Sequence, residues 1–164
     1  PLTPAQPVLE RVTGWIGADL EEKLTTALLT NALVRLRQEQ PQNVIDLAKT
    51  WLNNASLFYQ QIGLRTLPPL IQEPAFENLP SFFQLIQPFV LKVHPTLRPD
   101  LLDVLTTLAR RSPGETAYFL RQSLAMPENP DTGFIIRQLL QQFPEDMRDS
   151  LKDFLRERER AAGQ

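Results

Sequence analysis

The sequence predicts an all-α chain whose helices stack as antiparallel pairs, an α-solenoid, and three observations predict it. Apolar residues recur at helical neighbour spacing through most of the 164 residues, which places them on one face of successive helices. Period-two alternation and Asn-Gly or Asp-Gly hairpin turns are missing from the sequence, so no stretch reads as a strand. Prolines number 15 against 6 glycines, and they fall where apolar stripes begin or end, as first turns and corners require. The result is about eight or nine helices in consecutive pairs of about 35 to 45 residues, a period typical of helical solenoids.

The organising pair runs from Asn43 to Ile71. Val44, Leu47, Ala48, Trp51 and Leu52 form one stripe, and Phe58, Tyr59, Ile62, Gly63, Thr66, Leu67 and Leu70 form the next. Between them lies a polar corner, Asn53-Asn54-Ala55-Ser56. Neither helix can bury its stripe alone, so the pair is expected to dock on similar pairs before and after it. Trp51 reads as core, and Gly63 as a point of close helix approach, because glycine inside a helix costs about 1 kcal/mol relative to alanine.

Before this pair, Pro1–Pro7 reads as an extended lead-in, residues 8–16 as a short helix containing Trp15, and a helix from Asp19 runs to Arg37. Pro41 ends it. After the pair, Pro68-Pro69 predicts a kink or a frayed end. Leu79, Phe82, Phe83, Ile86, Phe89, Val90 and Val93 predict a helix that Pro88 should bend. A corner from Lys92 to Pro99 precedes a helix carrying Leu101, Leu102, Leu105, Leu108 and Ala109. Ser112-Pro113-x-Glu115 is a helix start with serine as the cap, and Tyr118, Leu120 and Leu124 continue that helix until Pro127. Residues 127–131 read as a surface turn. Phe134, Ile135, Leu139, Leu140 and Phe143 define a short helix, and Met147, Leu151, Phe154 and Leu155 face inward from the last one.

Composition bounds the function. A chain of this length buries roughly 70% of its unfolded surface, so one domain spanning 1–164 is expected. Pro1 stands at the first position in place of methionine, and the expectation is a piece of a longer protein. Without cysteine, disulfides, thiolate metal sites and cysteine nucleophiles are excluded; the absence is compatible with a reducing compartment, and a cytoplasmic location is expected. Apolar runs such as Phe89-Val90-Leu91 are too short to span a membrane. The net charge is -2, from 17 basic and 19 acidic side chains, whereas a dedicated nucleic-acid binder usually carries a basic excess.

Candidate chemistry is sparse. His94, the single histidine, precedes Pro95 and reads as an exposed corner residue rather than part of a triad or metal site. Asp100 and Asp103 share a helix turn, but Asp100 reads as first-turn capping rather than half of a catalytic pair. Asp146, Asp149 and Asp153 interleave with Arg148, Lys152 and Arg156, the pattern of an ion-paired surface. Glycines never cluster, so no phosphate loop is present. No cofactor is expected. Arg65, Arg110, Arg111, Arg121 and Arg137 are the candidate residues for binding a partner or a nucleic acid.

The pattern Tyr59-x-x-x-Gly63-x-x-Thr66-Leu67-x-x-Leu70 resembles the inner helix of a HEAT repeat, where a small residue admits the neighbouring helix. Trp51 to Leu70, together with LLDVLTTLARRSPGETAYFL from Leu101 to Leu120, is similar to the DNA alkylation repair proteins built from HEAT-like repeats. There a helix ending in arginine and small polar residues is followed by a start like that of Ser112 to Leu120. The resemblance implies a HEAT- or armadillo-type superhelix and, in the DNA-binding members, inner helices with a tryptophan and paired arginines. This chain departs from that pattern: Phe58-Tyr59-Gln60-Gln61 places neutral glutamines where those cations would stand. Asp19, four residues after Trp15, does not carry the family's catalytic aspartate on spacing alone.

Two functions are therefore expected in order. The first is a helical-repeat interaction or scaffold module that binds a protein partner on its concave face. The alternative is a divergent DNA-binding protein or glycosylase of the alkylation repair type, which needs a continuous basic surface.

Overall fold

The structure is a computed structural model that describes residues 33–163 together with Glu10, Leu24, Ala27 and Asn31. The expected helix over 8–16, most of the helix from Asp19, and Trp15 lie outside the described residues. Among the described residues there is no strand. The chain divides into two compact units, Pro1–Leu79 and Pro80–Gln164.

The first unit holds α1 (Val34–Glu39), α2 (Pro41–Leu52) and α3 (Leu57–Ile71). Pro41 sits at the first turn of α2, where its missing N–H costs nothing. Val44, Ala48, Trp51 and Leu52 are buried on α2, as are Ile62, Leu67 and Leu70 on α3. Each fully buried leucine or isoleucine contributes about 1.5 to 3 kcal/mol. α2 and α3 pack on each other more extensively than any other pair of described helices, and Gly63 is the reason they can. A Cβ at position 63 would lie 2.8 Å from Leu52 Cγ and 3.2 Å from the Ala48 carbonyl oxygen.

The corner between these helices is held by its own side chains. Asn54 Oδ1 accepts the Ser56 N–H at 2.8 Å, and the Gln60 amide donates to the Asn54 carbonyl at 2.8 Å. Pro68 and Pro69 leave α3 without two donors, yet the helix continues through them to Ile71. Proline's fixed φ is itself helical, and the Gln72 N–H closes the last turn on the Pro68 carbonyl at 3.1 Å.

Arg37 lies in the last turn of α1 and is buried. Its Nε lies 3.9 Å from Glu73 Oε1, with the two side chains 7% and 19% exposed. Burial pushes the guanidinium below the usual arginine value, and the Glu73 charge opposes that shift.

The second unit holds α4 (Leu79–Leu91, entering from the last residue of the first unit), α5 (Arg98–Arg111), α6 (Pro113–Ala125), α7 (Thr132–Leu139) and α8 (Glu145–Ala162). Its buried residues repeat at helical spacing: Phe82, Ile86 and Val90; Leu101, Val104, Leu105 and Leu108; Ala117, Leu120 and Leu124; Ile135, Ile136 and Leu139; Leu151 and Leu155. α5 packs on α6 and α7, and α6 packs on α7 and α8. α4 runs on through Pro88, with the Lys92 N–H reaching the Pro88 carbonyl at 3.2 Å.

Corners in this unit are closed by specific polar contacts. His94 is exposed, and its Nδ1 accepts the Thr96 N–H at 3.2 Å to cap a 3-10 turn over Pro95–Leu97. Ser112 occupies the N-cap position of α6, but its hydroxyl makes no cap bond. Its carbonyl instead accepts the Thr116 N–H at 3.1 Å and the Thr116 hydroxyl at 2.8 Å. Asn129, expected in a plain surface turn, donates to the carbonyls of Leu124 and Met126 at 2.5 and 2.7 Å and so caps the end of α6. Arg148, expected on an ion-paired face, donates to the carbonyls of Leu140 and Phe143 at 3.2 and 3.1 Å. Those bonds stabilise the 3-10 turn Leu140–Gln142 that ends α7.

Candidate functional site

α6 is the element around which the second unit's open surfaces are arranged. Pro113 sets its first turn, and the helix then carries two successive aromatics. Neighbouring helical positions diverge by about 100°, so Tyr118 and Phe119 cannot both face inward. Phe119 is buried, and Tyr118 is 58% exposed. The adjacent aromatic pair is the signal in the sequence that one of the two must face outward.

On one side, the N-terminal half of α6 faces the N-terminal half of α4 across an apolar groove of about 470 Å³. Phe83 and Phe119 form its floor, with ring centroids 4.8 Å apart and planes tilted by 34°. Pro80 and Tyr118 add apolar wall, while Gln84, Glu115 and Gln122 supply the polar rim. On the other side, α6 and α8 enclose a cleft of about 270 Å³ lined by Ala117, Arg121, Asp146, Met147, Ser150 and Leu151. Asp146 lies in the first turn of α8, where the helix dipole favours a carboxylate. Arg121 and Asp146 share the cleft without forming an ion pair with each other or with any other described residue.

Gly114 lines both depressions. A Cβ there would meet only Met147 Cε, at 3.9 Å, so the divide between groove and cleft carries no side chain although space for one exists. At the opposite end, the C-terminal turn of α4 faces Pro127–Pro130 across a third depression. N-terminal half thus faces N-terminal half, and the end of α4 faces the segment that follows α6. The two helices run side by side in the same direction, with α5 as the return between them.

The candidate arginines stand on four different helices. Arg65 is half-buried on α3 in the first unit. In the second unit Arg110 and Arg111 end α5, with Arg110 exposed and Arg111 half-buried. Arg121 lines the cleft beside Asp146, and Arg137 on α7 forms an ion pair with Glu159 on α8. The cation that the sequence reading missed is Arg98. Its guanidinium carbon stands 5.2 Å from the centroid of the Phe134 ring, and its Nη2 lies 3.8 Å from Asp131 Oδ1. That placement keeps Phe134 42% exposed beneath a cation rather than in the core.

Among the described residues no cluster of three or more histidine, aspartate or glutamate side chains could hold a metal ion. No described helix is long and apolar enough to cross a membrane. No protein-family model, curated protein or solved structure matches the chain.

Proposed function

We propose that this chain is a protein-interaction module of stacked helix pairs that receives a segment of a protein partner on the face formed by α4, α6 and α8. The observation that carries the reading is Tyr118, 58% exposed on the wall of an open groove floored by Phe83 and Phe119. An aromatic side chain held on a rigid helix at the edge of an apolar groove offers large contact area at little entropic cost, which is why such residues concentrate in interface hot spots. The parallel course of α4 and α6 with α5 between them supports the solenoid arrangement, whose successive helices present extended binding surfaces.

Nucleic acid fits this face poorly. Its charged lining is Glu115, Asp146 and Arg121, one cation against two carboxylates, whereas duplex binding depends on neutralising several phosphates at once. Arg137 is already engaged by Glu159.

The test is a selection from a random dodecamer peptide display library on the whole chain, followed by NMR mapping of synthesised winners. Perturbations centred on Tyr118, Phe119 and Gly114, abolished by Tyr118→Ser, are expected. Perturbations confined to other elements would remove this face as the site.

A further inference from the structure

The groove and the cleft on either side of α6 are chemically different, and their difference specifies the form of the bound segment. The groove is apolar, with Phe83, Tyr118 and Phe119. The cleft presents a guanidinium and a carboxylate, Arg121 and Asp146, that form no ion pair with each other or with other described residues. A single anion or cation would be attracted by one of these groups and repelled by the other. A peptide unit satisfies both, because its C=O accepts from a guanidinium and its N–H donates to a carboxylate. Within a bound peptide, an extended backbone has both groups to offer, whereas a helix spends its own internally. Gly114, shared by both depressions and bare of side chain, leaves a low saddle over which one strand of polypeptide can pass.

We infer that the partner binds as an extended peptide crossing the N-terminal turns of α6, with an apolar side chain in the α4–α6 groove and one peptide unit read by Arg121 and Asp146. This rests on the reading of the face as a protein-binding surface, and it adds the conformation of the ligand and the residues that select it. Extended recognition takes specificity from side-chain pockets and affinity from main-chain hydrogen bonds, and here the two are assigned to separate sides of one helix.

The experiment uses peptides obtained by dodecamer display selection on the whole chain, each resynthesised with one backbone amide N-methylated in turn. One position is expected to lose about tenfold in affinity, the loss of one charge-assisted hydrogen bond. That loss should vanish in Asp146→Ala, where the acceptor is gone. Gly114→Leu should block binding by raising the saddle. Residue 114 tolerates a Cβ without close contact, and unchanged far-ultraviolet circular dichroism and thermal midpoint would show that the variant is folded. Peptides that require Tyr118 yet bind as helices, or that ignore N-methylation at every position, would overturn the extended-backbone inference and leave the face intact. A selection that enriches no peptide, or peptides indifferent to Tyr118→Ser, would overturn both.

Discussion

The carboxylate of Asp131 accepts the backbone N–H of Val93 at 2.7 Å, across 38 residues of sequence. Next to it, the Thr132 hydroxyl donates to the Val90 carbonyl at 2.9 Å, and the Asp131 N–H donates to the Leu91 carbonyl at 3.2 Å. The last turn of a helix leaves carbonyls that no later N–H can satisfy. Here the start of α7 satisfies two of those at the end of α4, so the two helix ends are locked together. The same carboxylate faces Arg98, which ties this lock to the start of α5.

Removing either half of the lock leaves part-buried backbone groups without partners. Asp131→Ala is expected to destabilise the protein by about 1 to 3 kcal/mol, and Thr132→Val by a similar amount. Urea titration checks both. Asp131→Asn should recover part of the loss, because an amide oxygen still accepts from Val93. No loss in Asp131→Ala would mean that water replaces the carboxylate without cost.

Gly63→Leu should destabilise by about 1 to 3 kcal/mol through overpacking, despite leucine's better helix propensity. The first atom added already meets Leu52 Cγ at 2.8 Å and the Ala48 carbonyl at 3.2 Å. Leucine cannot avoid the backbone oxygen by moving a side chain. A raised unfolding midpoint for Gly63→Leu would show that α2 and α3 can separate there freely.

These two sites differ in how much of their role the sequence displays. Gly63 interrupts an otherwise regular apolar stripe, and an interruption that costs helix propensity points to a steric cause within the same pair of helices. The burial of Trp51, at 3% exposure, is legible for the same reason: its stripe partners are a turn away. Asp131 is not legible, because its partner is 38 residues distant and local composition shows only a polar turn. Arg37 is hidden likewise, since its countercharge Glu73 arrives from the far end of α3. The binding face falls between these cases. Adjacent Tyr118 and Phe119 announce that one aromatic faces outward, but the cleft needs Asp146 from α8, and helix-to-helix register has no local signature.

Trp51→Ala should cost about 3 to 5 kcal/mol, the usual range for emptying a buried large aromatic site. An unchanged unfolding midpoint for Trp51→Ala would remove this tryptophan from the core.

Two arginine–glutamate pairs that begin on α1 should behave oppositely. Glu73→Ala is expected to destabilise by about 3 kcal/mol, because it removes a carboxylate that faces the buried Arg37 guanidinium. Arg35 and Glu39 pair at 2.8 Å with side chains 85% and 55% exposed, so Arg35→Ala should leave the midpoint unchanged. Raising the salt concentration should weaken the exposed pair and hardly touch the buried one. Equal responses of both variants to salt would contradict the burial of Arg37.

The last prediction separates protein binding from base excision. A glycosylase of the alkylation repair type needs cations aligned along its inner helices, and α3 carries Arg65 as the single cation of its 15 residues. Gln60, an uncharged side chain, donates its amide to the Asn54 carbonyl at 2.8 Å and so belongs to the corner of its own helix pair. Arg137 is engaged by Glu159, and affinity for duplex DNA scales with the number of phosphates neutralised. Single-turnover assays on alkylated duplex are expected to release no base, and DNA binding should be no tighter than non-specific, about 10⁻⁴ to 10⁻⁶ M at physiological salt. A steep fall of affinity with salt, corresponding to six or more phosphate contacts, together with released base, would reverse the assignment in favour of DNA.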